Sequence, residues 1–394
     1  MDITTVTSFR AARSRADLAL APGEAFMAGG TWLMSEPQPS TTGFVDLTAM
    51  GWPDLEVDEA GLRIGATCTI ATLLDWARGA AGRRAAEGAA SGGTSAVPGE
   101  GTVATSTHPA ATGRWARADA LPPVPESWRA VALVEPAANA LLASFKIWST
   151  ATVGGNLCQS FAAGSMISLA VALDGVAVVW QPDGAERRMP VAELPAGNGA
   201  NALAHGEVLR AIEIPAHALR AEALLQKIAL AELGRSGAVV TGRVDDDGAA
   251  TFGVTAATIT PRVLRFAALP SAEELRERVE GLEGYYSDPL GAEDWRRGVS
   301  AVLAERIRSQ LQESIAERAD AAAVGDAATT GAIAASPAGA GDVSTSPAGT
   351  GNVSTGPAGT GGLSTGEAGA SPADLGDGAD AASPAPSDDG SARA

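Results

Sequence analysis

Two double-glycine turns, each at the end of an apolar stretch, constrain this chain more than any other feature. The first is Phe26-Met27-Ala28-Gly29-Gly30-Thr31-Trp32-Leu33; the second is Ala151-Thr152-Val153-Gly154-Gly155-Asn156-Leu157. Glycine lets the backbone take a positive φ, or approach a neighbour with no Cβ in the way. Successive N–H groups in such a turn converge on an anion. Two such turns, far apart in the chain, suit the two phosphates of a dinucleotide when the fold brings them together.

Charge and metal-ligating residues narrow the chemistry. The formal net charge is −18 over 394 residues, which repels phosphate backbones and argues against a nucleic-acid partner. Cys68 and Cys158 are the only cysteines, too few for a cysteine-ligated iron–sulfur cluster. His108, His205 and His217 are scattered without metal-ligand spacing. Any redox metal is therefore expected on another chain. The start, Met1-Asp2-Ile3-Thr4-Thr5, has no basic stretch followed by an apolar run, and no apolar run reaches ~18 residues. A cytoplasmic location without membrane contact is expected.

Patterning divides the chain into four parts. Residues 1–53 read as a small α/β lobe, with one strand at 25–28 running into the first glycine turn and another at 43–47. A second lobe, 54–217, has an alternating strand at 62–66 and a helix at 70–77 that Thr69 can N-cap. Within it, residues from about 79 to 125 are rich in Ala, Gly, Thr and Pro, have few large apolar side chains, and read as a flexible insertion. A helix over 131–142 is divided by Pro136; Ser165 caps another over 166–173, closed by Gly175. Pro182-Asp183-Gly184 marks a hairpin, and 208–214 alternates as a strand.

Residues 218–318 read as a three-stranded antiparallel sheet (223–229, 238–244, 251–257) followed by two helices. In the second, Trp295, Val299, Val302, Leu303, Ile307, Leu311 and Ile315 recur at helical spacing, a face expected to pack on that sheet. Residues 319–394 carry near-repeats around Val343-Ser344-Thr345 and Val353-Ser354-Thr355, with few large apolar residues, and read as a disordered acidic tail.

The order Ala28-Gly29-Gly30-Thr31, Val45-Asp46-Leu47, Leu62-Arg63-Ile64-Gly65-Ala66 and Thr152-Val153-Gly154-Gly155-Asn156 adds a family signal, as does Tyr285-Tyr286-Ser287-Asp288 leading to Trp295-Arg296-Arg297. It resembles the FAD-binding medium subunit of the xanthine dehydrogenase / carbon monoxide dehydrogenase family of molybdenum hydroxylases, over about residues 20–315. The resemblance implies an α+β fold: a two-lobed FAD-binding domain of the PCMH/vanillyl-alcohol-oxidase type, then the C-terminal sheet-plus-helices domain. It implies that FAD phosphates and ribityl chain lie against Ala28, Gly29, Gly30, Thr31, Trp32 and Leu33, and against Thr152, Val153, Gly154, Gly155 and Asn156. It places Leu209 near the isoalloxazine and Lys227 near the flavin. Ser165 stands where the family often has Asp, Trp32 where it commonly has Asp after Gly-Gly-Thr, and Ile147-Trp148-Ser149 where it commonly has Ile-Arg-Asn. Trp32 and Trp148 offer either rings for cofactor stacking or ordinary core packing.

The implied function is electron transfer. Electrons would pass from a molybdenum-cofactor large subunit through [2Fe–2S] clusters on a small subunit, or a fused form of the two, to FAD on this chain and on to NAD or another acceptor. Two other readings keep the fold: a non-flavin scaffold subunit, motivated by Trp32, Trp148 and Ser165, and a stand-alone flavin oxidase with Cys158 as a covalent link.

Overall fold

The computed structural model describes residues 4–79, 121–140, 144–231 and 234–333. Three parallel strands, β1 (Ser8–Ala11), β2 (Glu24–Met27) and β3 (Gly43–Asp46), form a sheet in the order β1-β3-β2. The central strand has adjacent buried residues, Phe44 and Val45, because a central parallel strand is covered on both faces. Strand β1 escapes sequence patterning because it lies at the edge and leaves Phe9 exposed. Arg10 ties the two outer strands, pairing with Glu24 at 2.8 Å.

Next come β4 (Leu55–Val57), β5 (Gly61–Gly65) and a helix, α1, over 70–79. Thr69 caps α1 as expected, its Oγ accepting from the Thr72 N–H at 3.1 Å. The proposed insertion lies mostly outside the described residues, but its last part is packed. Val124 is buried, and the Trp76 indole donates to the Pro122 carbonyl at 2.8 Å. Helices α2 (Val134–Ala140), α3 (Phe145–Trp148), α4 (Val153–Gln159) and α5 (Ser165–Ala172) follow. Pro136 sits in the first turn of α2, where its missing N–H costs no helical hydrogen bond; the division comes earlier, at a 3-10 turn over Arg129–Leu133.

Strands β6 (Val176–Trp180), β7 (Glu186–Pro190), β8 (Pro195–Gly197), β9 (Ala200–Asn201) and β10 (Val208–Pro215) complete this region. The hairpin β6–β7 forms as expected, and an antiparallel sheet runs β4-β5-β10-β6-β7. Across its wet face, Glu56, Arg63, Glu213, Arg188 and Glu186 form a continuous ladder of ion pairs. The other face packs on the helices. Residues from the first lobe, among them Ala12, Val45 and Leu47, join the same buried core as Leu62, Leu157 and Ile212. Arg15 straps the lobes together, stacking 4.7 Å over the Trp180 ring and donating to the Ala185 carbonyl.

After α6 (Ala216–Arg220) the C-terminal sheet has four strands, not three: β11 (Glu222–Ala229), β12 (Ser236–Val244), β13 (Ala250–Thr255) and β14 (Arg262–Phe266). The fourth is a short edge strand between two arginines, with only Leu264 fully buried, and so shows little alternation. Helices α7 (Ala272–Glu280) and α8 (Glu293–Ile333) pack against this sheet around a second core. Leu303, Ile307 and Leu311 of α8 are buried as expected, whereas Val302 is half exposed, because its place on the helix turns it off that face. Helix α8 continues to Ile333, past the expected start of the tail at 319; the Ala-rich stretch has high intrinsic helix propensity without an apolar stripe. The expected disorder from 334 onward lies outside the described residues.

Candidate functional site

The two glycine turns meet. A Cβ on Gly29 would fall on the Thr150 carbonyl oxygen and lie 3.1 Å from Ala151 Cα, so the first turn rests directly on the backbone leading into the second. Gly30 takes φ +68°, a conformation that favours glycine, and reverses the chain after β2. The turn then closes on itself. The Met34 N–H donates to the Gly30 carbonyl at 2.8 Å, and the Ser35 N–H to the Trp32 carbonyl at 2.8 Å. The Gly30, Thr31 and Trp32 carbonyls are used, but the N–H groups of Gly29, Gly30, Thr31, Trp32 and Leu33 have no acceptor among the described residues. Consecutive unpaired N–H groups at the start of a helical turn form an anion cradle.

The second turn is built differently. Its amides are consumed: Val153 N–H donates to the Cys68 carbonyl at 2.8 Å, Gly154 N–H to the Ala66 carbonyl at 3.0 Å, and Gly155 N–H to Thr152 Oγ at 3.0 Å. Gly154 is needed because a Cβ there would lie 2.6 Å from the Ala66 carbonyl oxygen. This turn is therefore a clasp that fixes α4 to the end of β5. Gly155 faces open space. The only atom near a Cβ placed on it is its own cap, Thr152 Oγ, at 2.8 Å.

Between the turns lies a cleft of about 580 Å³. Ala28 through Leu33 line one side; Thr152, Gly154, Gly155 and Asn156 line the other, with Leu209 of β10 at its wall. Asn156 has two roles available. Its Oδ1 accepts from the Met166 N–H at 3.0 Å and so caps α5, while its Nδ2 has no partner among the described residues. Ser165 is not the cap expected from sequence. It is the first residue of α5, fully buried, away from the cleft lining, and its Oγ has no hydrogen-bond partner. Nor does Gly175 take the left-handed C-terminal position; Asp174 does, at φ 51°.

Three residues expected at the site are elsewhere. Val153 is buried beneath the clasp, Ser165 is buried in α5, and Lys227 lies on β11, its Nζ donating to the Asn139 carbonyl at 3.0 Å. Trp148 also stays off the lining, with a buried indole N–H that has no partner. Among the other lining residues, four polar or aromatic ones carry no signal of their own along the chain. Thr67 follows β5, Gln159 ends α4, Phe161 follows α4, and Glu207 precedes β10. The Glu207 side chain is only 5% exposed and is held by Arg187 at 2.6 Å and by the Ala204 N–H at 2.8 Å. The Arg187 hydrogen bond draws the Glu207 carboxyl down to about 2, and Arg10 does the same for Glu24. Burial pushes the Cys158 thiol up to about 12, which makes it a poor nucleophile. No Lys, Arg or His lines the cleft among the described residues.

The free amides, the open glycine surface at Gly155 and the spare Asn156 amide fit a phosphate-bearing ligand with a long apolar section. A match to the family model "FAD binding domain in molybdopterin dehydrogenase" over residues 8–217 decides what that ligand is. The chain belongs to this family. FAD is the cofactor of this oxidoreductase subunit. Solved structures agree in fold. Quinoline 2-oxidoreductase from Pseudomonas putida 86 is 17% identical with a TM-score of 0.56, covering 80% of this chain and 99% of that one. Reconstituted CO dehydrogenase from Oligotropha carboxidovorans is 17% identical with a TM-score of 0.60, covering 79% and 99%. CO dehydrogenase from Hydrogenophaga pseudoflava lacking the Mo-pyranopterin moiety is 15% identical with a TM-score of 0.57, covering 78% and 97%. No curated protein sequence matches the chain. No helix among the described residues is long and apolar enough to cross a membrane.

The wall of the FAD cleft should be acid-sensitive. Glu207 and Glu24 titrate near 2 in the folded chain against 4.5 ordinarily, so their contribution is complete above 4.5 and lost as pH falls toward 2. The urea midpoint is expected to fall over that window, and the fall to be smaller in Glu207→Gln. An equal fall in both proteins would show that Glu207 is not responsible.

Proposed function

We propose that the chain is the electron-transfer subunit of a molybdenum hydroxylase, with FAD held between the two glycine turns. The observation that carries this reading is the run of unpaired amides from Gly29 to Leu33 on a cleft that the open surface of Gly155 also lines. The first turn binds the phosphates through its N–H groups. The clasp at Thr152–Asn156 sets the width of the cleft and offers Asn156 Nδ2 as a further donor. Leu33 and Leu209 supply apolar wall and exclude water. Glu207, neutralised by Arg187, stiffens the wall without adding free charge. Bound FAD supplies one-electron acceptance and two-electron release, which lets such a subunit join single-electron carriers to a two-electron acceptor.

The same proposal puts the molybdenum cofactor and the [2Fe–2S] clusters on partner subunits, names NAD or another soluble molecule as acceptor, and places the assembly in the cytoplasm. It also divides the chain near residues 53 and 217, with Lys227 contributing to the C-terminal unit rather than to the flavin. The first turn favours this over a non-flavin scaffold, in which five unpaired amides would serve nothing. The unreactive Cys158 argues against a covalently linked flavin oxidase.

Purification with native partners tests the proposal. Molybdenum and iron should co-purify with the chain, and denaturation should release free FAD. A complex that carries flavin but neither metal would rule out the hydroxylase assignment.

A further inference from the structure

Trp32 is a large aromatic residue left 38% exposed at the edge of the cleft. It is not loose. Its ring meets Phe161 edge-on, with centroids 4.6 Å apart and planes at 66°. Phe161 follows α4, so the contact joins the first turn to the far side of the cleft. Trp32 also belongs to the run with unpaired amides, so a ligand whose phosphates sit on that run passes within reach of the indole. The Ser35 Oγ donates to the Thr31 carbonyl at 2.6 Å, and the Ser35 and Glu36 N–H groups donate to the Trp32 carbonyl, which fixes the backbone beneath the ring. An indole braced by one T-shaped contact and lining a cleft offers a flat surface on which a ring can stack.

Resting on the FAD reading above, we propose that Trp32, braced by Phe161, stacks on the isoalloxazine and positions it at the mouth of the cleft. The redox ring must be reachable from outside the chain, and Trp32 is an exposed aromatic residue of the lining. Phe161 acts through Trp32, as a positioning residue that holds the indole in one orientation.

Flavin fluorescence distinguishes stacking from mere proximity. Free FAD is dim because adenine folds over the isoalloxazine. FAD held extended between two turns loses that quencher, and an electron-rich indole stacked on the ring replaces it. The experiment titrates FAD into the wild-type chain, Trp32→Phe, Trp32→Ala and Phe161→Leu, reading affinity and the emission of the bound flavin. Bound FAD in the wild type should be dark. In Trp32→Ala it should be brighter than free FAD, with affinity weaker by about 2- to 13-fold, the equivalent of roughly 0.5–1.5 kcal/mol for an aromatic pair. Trp32→Phe should keep most of the affinity yet emit more than wild type, and Phe161→Leu should fall between. Equal emission and affinity in wild type and Trp32→Ala would overturn the stacking role while leaving the cofactor intact. A wild-type chain that binds no FAD would instead remove the cofactor reading and this role with it.

Discussion

Gly29→Ala should abolish tight FAD binding while leaving most of the fold in place. The methyl group would occupy the position of the Thr150 carbonyl oxygen, and a backbone atom cannot swing aside as a flexible side chain can. Thr150 and Ala151 are anchored in turn, their N–H groups donating to the Ile147 carbonyl at 3.0 and 2.7 Å. The two turns must therefore part. Overpacking of this kind costs about 1–3 kcal/mol of stability. The loss in affinity should be larger, about 100-fold, because the phosphate-binding amides move relative to the Gly155 surface. Gly51→Ala is the control. Gly51 has φ +66° but nothing within 4 Å of a Cβ, so only the left-handed strain of about 1–2 kcal/mol applies, with FAD affinity unchanged. Equal FAD affinity in Gly29→Ala and wild type would show that contact between the turns does not shape the site.

Arg243→Met should have the largest effect on stability. Arg243 of β12 is 1% exposed and reaches out of the C-terminal sheet to the end of α5. It donates to the Ala172 carbonyl at 2.8 Å, pairs with Asp174 at 2.5 Å, and lies 2.8 Å from Asp245. Asp174 also takes Arg265 of β14 at 2.6 Å, so one carboxylate at the left-handed end of α5 receives two strands of the sheet. Removing a buried charge leaves its partners uncompensated, at a cost of about 3–5 kcal/mol. Arg265 is 62% exposed, and Arg265→Met should cost under about 1 kcal/mol. None of these residues lines the cleft, so FAD affinity should move far less than stability does. Urea unfolding of both variants checks the ranking. A small loss in Arg243→Met would mean that packing of Val239 and Ala256 against Ala140 and Ala163, not the ion cluster, carries the docking of the sheet.

A site residue is legible in the sequence where backbone geometry demands one residue type. Gly29 and Gly154 stand out because a Cβ there would meet backbone, and Gly30 because its positive φ favours glycine. Residues placed by tertiary structure alone are not legible in this way. Thr67, Gln159, Phe161 and Glu207 reach the cleft from segments that carry no local signature. Asn156 caps a helix that begins nine residues later in the chain, so neither residue announces the contact, and local pattern points instead to Ser165 for the cap that Asn156 supplies. Lys227 matched by order along the chain, but a strand position fixes a side chain only once its sheet is placed, and that sheet turns Lys227 toward Asn139. The two glycine turns look alike in sequence, yet they differ in the hydrogen bonds their amides already make. One turn has its amides free and the other has spent them.

That difference has a consequence for binding. With no cationic side chain on the lining among the described residues and a net charge of −18, the phosphates of FAD are met by neutral N–H groups in a repulsive field. Added salt should screen the repulsion and cost the cofactor nothing. Calorimetric titration of the purified chain with FAD, at about 50 mM and about 500 mM salt, is the most direct measurement. The expected result is one non-covalent site per chain, with affinity equal or tighter at the higher salt. No binding, or affinity that falls steeply with salt, would contradict an FAD site built from the amides of Gly29 to Leu33.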